Sequence, residues 1–128
     1  MSPRKNQKPE VLAELIGELA LSKKADNVLI VDVRGISGVT DFFVFASADT
    51  DVQVKAIADG IRRGTPHKPW HSEGENQARW VLLDYVDVVA HIMRTEERNY
   101  YNLEKLWADA PVRELTDEPE TLSGNPVS

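Results

Sequence analysis

From Glu10 to Lys24 the apolar residues Val11, Leu12, Leu15, Ile16 and Leu19 recur at helical spacing and so fall on one face of an amphipathic helix. Pro9 suits its first turn, where the missing N–H is not needed. Lys23 and Lys24 lie at the end where the helix dipole favours cations. The period then changes. "NVLIVDV" is an almost continuous, β-branched apolar run too short for a helix, and it predicts a strand buried on both faces. A glycine-containing connection, "RGISGV", leads to a second strand in "TDFFVFAS".

"TDVQVKAIADGIRRG" reads as a second helix. Thr50 is placed to accept the backbone N–H of Gln53 in a capping box, with the Gln53 side chain reaching back. Ile57, Ala58 and Ile61 supply its inner face, and Gly64 is its stop. "HKPWHSEGEN" is turn-rich, with a weak, short strand near Trp70, and "ARWVLLD" and "VDVVAHIM" form an antiparallel pair joined tightly at Tyr85. In "RNYYNLEKLW", a helix of 100° per residue puts Tyr100, Leu103, Leu106 and Trp107 on one inward stripe and points Tyr101 away from it. An aromatic ring outside the core asks for a partner.

These elements predict an α/β fold, a mixed sheet of about five strands flanked by helices. Residues 1–8 are basic, broken by proline and expected to be disordered; residues 9–110 form a single domain; residues 111–128 are acidic and too polar to pack. A chain of 128 residues has room for one core. It contains no cysteine, which excludes disulfides, thiolate metal sites and thiol nucleophiles. A formal charge of −6 argues against nucleic acid as the primary ligand, because phosphate binding is dominated by Lys and Arg, and it favours a basic protein partner. No apolar run reaches the roughly 20 residues of a membrane span, and no secretory signal is visible, so a cytoplasmic location is expected with no membrane partner.

Catalytic constellations are weak. His67 and His71 are four apart, but Pro66 and Pro69 oppose the helix that would bring them together, so no metal site is expected. Asp49 and Asp51 resemble a magnesium-binding pair, yet flanking Thr50 at a helix start they are better explained as first-turn anions. "RGISGVTD" lacks both the P-loop lysine and the dinucleotide fingerprint, and Ser37, Ser47 and Ser72 lack a nucleophile-elbow context. No catalytic residue and no cofactor are expected. His91, between Val89 and Met93 on one strand face, reads as a hydrogen-bonded, partly buried histidine. Trp80 shares a strand face with Leu82 and Asp84, and Trp80, Tyr101 and Arg98 are residue types that dominate interfaces and are expected to converge on one patch.

Two stretches resemble a known family. "EGENQARWVLLDYVDVVAHIM" followed by "EERNYYNLEKLW", together with "SGVTDFFVFASADTDVQVKAIAD", is similar to the ribosomal silencing factors, RsfS or Iojap-like, from about Val11 to Asp109. The resemblance implies a nucleotidyltransferase-like fold and a non-enzymatic factor that is often dimeric. It also implies binding to the large ribosomal subunit through ribosomal protein L-fourteen, which blocks small-subunit joining and represses translation under nutrient limitation. Carried over by motif, Trp80 and Tyr101 are the expected partner contacts, and Glu73, His91, Arg98, Leu103, Glu104 and Trp107 match further family positions. Ala48, Gln53 and Val86 depart from the family's usual glycine, histidine and glycine. Two rival readings are a large-subunit assembly factor and a magnesium-dependent nucleotidyltransferase using Asp49 and Asp51 or Asp32 and Asp41.

Overall fold

The protein is described by a computed structural model covering residues 8–116. Helix α1 (Pro9–Ser22) is followed by strands β1 (Asp26–Asp32) and β2 (Phe42–Ala48), then α2 (Asp51–Gly64), β3 (His71–Glu73), β4 (Trp80–Asp84) and β5 (Val88–Arg94). A short α3 (Thr95–Tyr101), a 3-10 helix (Leu103–Trp107) and β6 (Val112–Leu115) complete it. The strands form one sheet in the order β3-β4-β5-β2-β1-β6. Only β2 and β5 pair in parallel, so the sheet is mixed, as the sequence pattern predicts.

Alternation along the strands divides the interior in two. Val28, Ile30, Val44, Ala46, Val81, Leu83, Ala90 and Ile92 turn to one face and pack with Leu12, Ala13, Ile16 and Ala20 of α1 and Val54, Ile57, Ala58 and Ile61 of α2. On the opposite face Val31, Val33, Phe45 and Ala110 form a smaller cluster with Leu29, Phe43, Leu103 and Trp107. Strand β1 is thus buried on both faces. At the start of α2, Thr50 Oγ1 accepts the Gln53 N–H at 3.1 Å, which is half of the expected capping box. The Gln53 side chain turns instead to the end of α1, donating to the carbonyls of Lys24 (3.2 Å) and Lys23 (3.4 Å).

Two expectations need correction. The sheet has six strands, because Val112–Leu115, assigned from its polarity to the tail, pairs with β1. Only Leu115 of β6 is partly buried, packing over the Cβ-free surface of Gly17, so the segment carries almost no hydrophobic signal. The late helix is not continuous: Asn102 takes the left-handed conformation (φ 50°, ψ 53°) and ends α3 before the 3-10 turn begins. The break sends Leu103 and Trp107 inward but leaves Tyr100 (79% exposed) and Leu106 (71%) outside the core. The β4–β5 hairpin is tight, as expected: it turns on Val86 at φ 76°, with the Asp87 N–H donating to the Tyr85 carbonyl at 2.9 Å, a γ-turn with a β-branched residue at its centre. The expectations for residues 1–7 and 117–128 lie outside the described residues.

Candidate functional site

The sheet face opposite α1 and α2 carries the site. Strand register places Phe43, Phe45 and Ser47 of β2, Val89, His91 and Met93 of β5, and Trp80, Leu82 and Asp84 of β4 side by side on it. The 3-10 helix covers the β1–β2 half through Leu103 and Trp107. On the β4–β5 half, Trp80, Leu82 and Val89 remain only half-buried.

An unbroken series of ring contacts crosses this face. Trp107 packs on Phe43 (centroids 5.2 Å), Phe43 meets His91 edge-on (5.4 Å), and Phe45 stacks on His91 (5.2 Å). Trp80 lies 5.9 Å from His91 and 5.1 Å from Tyr101, whose ring meets Tyr100 edge-on at 5.0 Å. Offset and edge-to-face pairs of this kind contribute about 0.5–1.5 kcal/mol each beyond burial. Trp80 Nε1 donates to His91 Nδ1 at 3.0 Å. His91 is 8% exposed, and burial pushes its imidazole down to about 4. The series therefore runs from a dry, neutral centre to a wet end at Tyr101, which is 52% exposed.

Trp80 and Tyr101 are brought into contact as expected. Arg98 is not part of that surface: at 6% exposure it turns under α3, where Nε donates to Glu104 (2.6 Å) and Nη1 to Ser47 Oγ (3.1 Å). Arg98 and Glu104 together tie α3 to the 3-10 turn, across the break at Asn102. Leu103 and Trp107 pack inward, His91 lies beneath Trp80, and Glu73 stands exposed on β3, paired with His71 at 2.7 Å.

Residues not drawn into the patch from sequence also shape it. Leu82 and Val89 were placed by alternation but carry no side chain that signals an interface. Tyr100, on the open side of α3, extends the exposed aromatic surface beside Tyr101. Gly74 supports Trp80 from behind: its φ is 86°, and a Cβ there would overlap the Trp80 carbonyl oxygen. The "EG" of the turn is the only sequence signal for it.

The acidic pairs of the rival enzyme lie at opposite ends of β2. Asp49 accepts the Thr95 hydroxyl (2.9 Å) and Asp51 faces Arg94 (3.4 Å). Asp32 is bound by Arg34 (2.7 Å), whose hydrogen bonds hold its carboxyl below the ordinary value. Among the described residues no three His, Asp or Glu side chains gather as a metal site would need, and no helix is long and apolar enough to cross a membrane.

Two long helices on one side of a mixed sheet and, on the other, an aromatic surface that the 3-10 helix covers only in part define a half-open α/β protein. Two crystal structures share that architecture. A protein from Chromobacterium violaceum superposes with a TM-score of 0.77 at 25% identity, covering 94% of this chain and 97% of that one. One from Bacillus halodurans gives 0.71 at 39% identity, covering 83% and 99%. The family model described as "Ribosomal silencing factor during starvation" matches residues 5–126. The chain is 46% identical over 98 residues to the ribosomal silencing factor RsfS of Bacillus subtilis, covering 73% of this chain and 81% of that one. It is 37% identical over 123 residues to that of Zymomonas mobilis, covering 87% and 92%. It is also 31% identical over 102 residues to the chloroplastic protein Iojap of Zea mays, covering 78% and 45%. The chain belongs to the ribosomal silencing factor family.

Proposed function

We propose that the protein is a ribosomal silencing factor that docks on ribosomal protein L-fourteen of the large subunit and excludes the small subunit, repressing translation when nutrients are scarce. The contact of Trp80 with a half-exposed Tyr101 carries this reading. It is a large, rigid apolar surface left open on one half of the sheet, of the composition that dominates interface energies. The charge of −6 complements a basic ribosomal protein and opposes primary binding to bare RNA.

The mechanism is steric and non-enzymatic. A bound 14.4 kDa body occupies volume that the small subunit needs, so its binding free energy competes with that of subunit joining. The enzyme reading is not favoured, because Asp32, Asp49 and Asp51 are held by Arg34, Thr95 and Arg94 rather than gathered. The expected location is the cytoplasm, where large subunits are found in bacteria. For a homodimer of the free protein, the outer edge of β6, which no described strand pairs, is the surface that a second copy can extend.

Co-sedimentation with isolated large subunits, with and without small subunits, tests the proposal. Wild type should pellet and suppress joining. Trp80→Ala and Tyr101→Ala should each weaken binding by about 2 kcal/mol, roughly thirtyfold, with circular-dichroism melts showing each variant folded at the assay temperature. Wild type remaining in the supernatant would overturn the proposal. Binding without suppression of joining would favour the assembly-factor reading.

A further inference from the structure

We infer that His91 is a positioning residue of the docking face: its neutral imidazole, with the proton on Nε2, accepts the Trp80 indole N–H and fixes the angle at which Trp80 meets Tyr101. This rests on the docking function proposed above. The indole Nε1 is a donor only, so the 3.0 Å approach requires Nδ1 of His91 to be the acceptor, which fixes the tautomer. The imidazole cannot swing away, because Phe45 stacks on it at 5.2 Å and Phe43 abuts it at 5.4 Å, both on the adjacent strand. At 8% exposure His91 has almost no surface to offer a partner, whereas Trp80 and Tyr101 above it do.

A tryptophan held only by one half-covered strand face would sample several rotamers, and a partner would have to select one. The hydrogen bond removes that ordering cost before docking. A role in the fold alone would be met by any ring of this size, since His91 already packs as a core aromatic between Phe45 and Trp80.

His91→Phe keeps a ring and removes the acceptor; His91→Gln keeps an acceptor and loses the ring. Nitrogen–proton correlation spectra report the Trp80 indole N–H, assigned with Trp80→Phe, and co-sedimentation with large subunits reports docking. Wild type should show a downfield, slowly exchanging indole proton. His91→Phe should lose that signature and bind about five- to tenfold more weakly at an unchanged melting temperature, while His91→Gln should recover part of both. His91→Phe with wild-type affinity, or with an unshifted indole resonance, would overturn the inference while leaving the docking proposal standing. If wild type shows the indole signature but does not bind large subunits, the docking proposal fails, and with it the assignment of His91 to docking.

Discussion

Replacing Gly74 by alanine tests how closely the β3–β4 connection is built around Trp80. Gly74 sits at φ 86°, where an L-residue costs about 1–2 kcal/mol. The new Cβ would overlap the Trp80 carbonyl oxygen and press on its carbon, 3.1 Å away, with Val81 Cα in ordinary contact at 3.4 Å. All three are backbone atoms of β4, so no side chain can yield. Opening the turn also threatens the 2.9 Å bond from the Ala78 N–H to the Gly74 carbonyl, with a net value of about 1 kcal/mol. Alanine recovers about 0.4–1 kcal/mol by stiffening the unfolded chain, so the expected loss is about 1–2.5 kcal/mol. At an m-value of about 2 kcal/mol/M, the urea midpoint should fall by about 1 M. Gly38→Ala is the control, because nothing lies within 4 Å of a Cβ there and its loss should stay within about 0.5 kcal/mol. Equal midpoints for the two variants would refute the close-approach argument.

Val86→Gly should stabilise the protein by about 1 kcal/mol, because relief of a β-branched residue at φ 76° outweighs glycine's entropy cost and the loss of a half-buried side chain; thermal melts read it. His91 stays neutral in the fold down to about pH 4, whereas in the unfolded chain it takes up a proton near its ordinary 6.5. The unfolded state therefore binds more protons between those values. Stability owed to His91 is full above pH 6.5 and falls as the pH drops to about 4, by on the order of 3 kcal/mol. Urea unfolding across that window should show a steeper decline for wild type than for His91→Gln. Arg98→Ala strands Glu104 and Ser47 and should cost about 2 kcal/mol of stability. Its folded fraction should keep more affinity for large subunits than Tyr101→Ala, because the guanidinium faces inward.

Elements with strong periodicity were legible in the sequence. The two long helices, the doubly buried β1 and the β4–β5 pair follow from spacing that local chemistry and burial both favour. The adjacency of β2 and β5 does not, because parallel pairing joins segments some 45 residues apart with no turn between them to announce it. Strand β6 was missed because three of its four residues face solvent. At the site, residue types led to Trp80 and Tyr101, but the same reasoning placed Arg98 on the surface and Tyr100 in the core. Arg98 turns inward because Glu104 and Ser47 accept its guanidinium, and Tyr100 parts from the stripe of Leu103 and Trp107 because Asn102, whose left-handed conformation asparagine signals only weakly, puts them on separate elements. Of the family departures, Val86 does occupy a positive-φ position, as the usual glycine implies, and Gln53 makes its own bonds to the end of α1.

The sheet order also sets a timetable for synthesis. The first strand, β1, has its outer edge closed by the last described strand, β6, while β2 waits for β5. A chain emerging from its N-terminus can form α1, the β1–β2 hairpin and α2, but both edges of that hairpin stay open until more than half of the remaining domain has followed. Such non-local closure slows folding and exposes unpaired edges to other chains. The Trp80–Tyr101 surface comes together only after residue 101 has been released, and Trp107, which covers the neighbouring β1–β2 half through Phe43, comes later still. A growing chain therefore cannot present the aromatic face to the ribosome that is making it until nearly the whole domain is out.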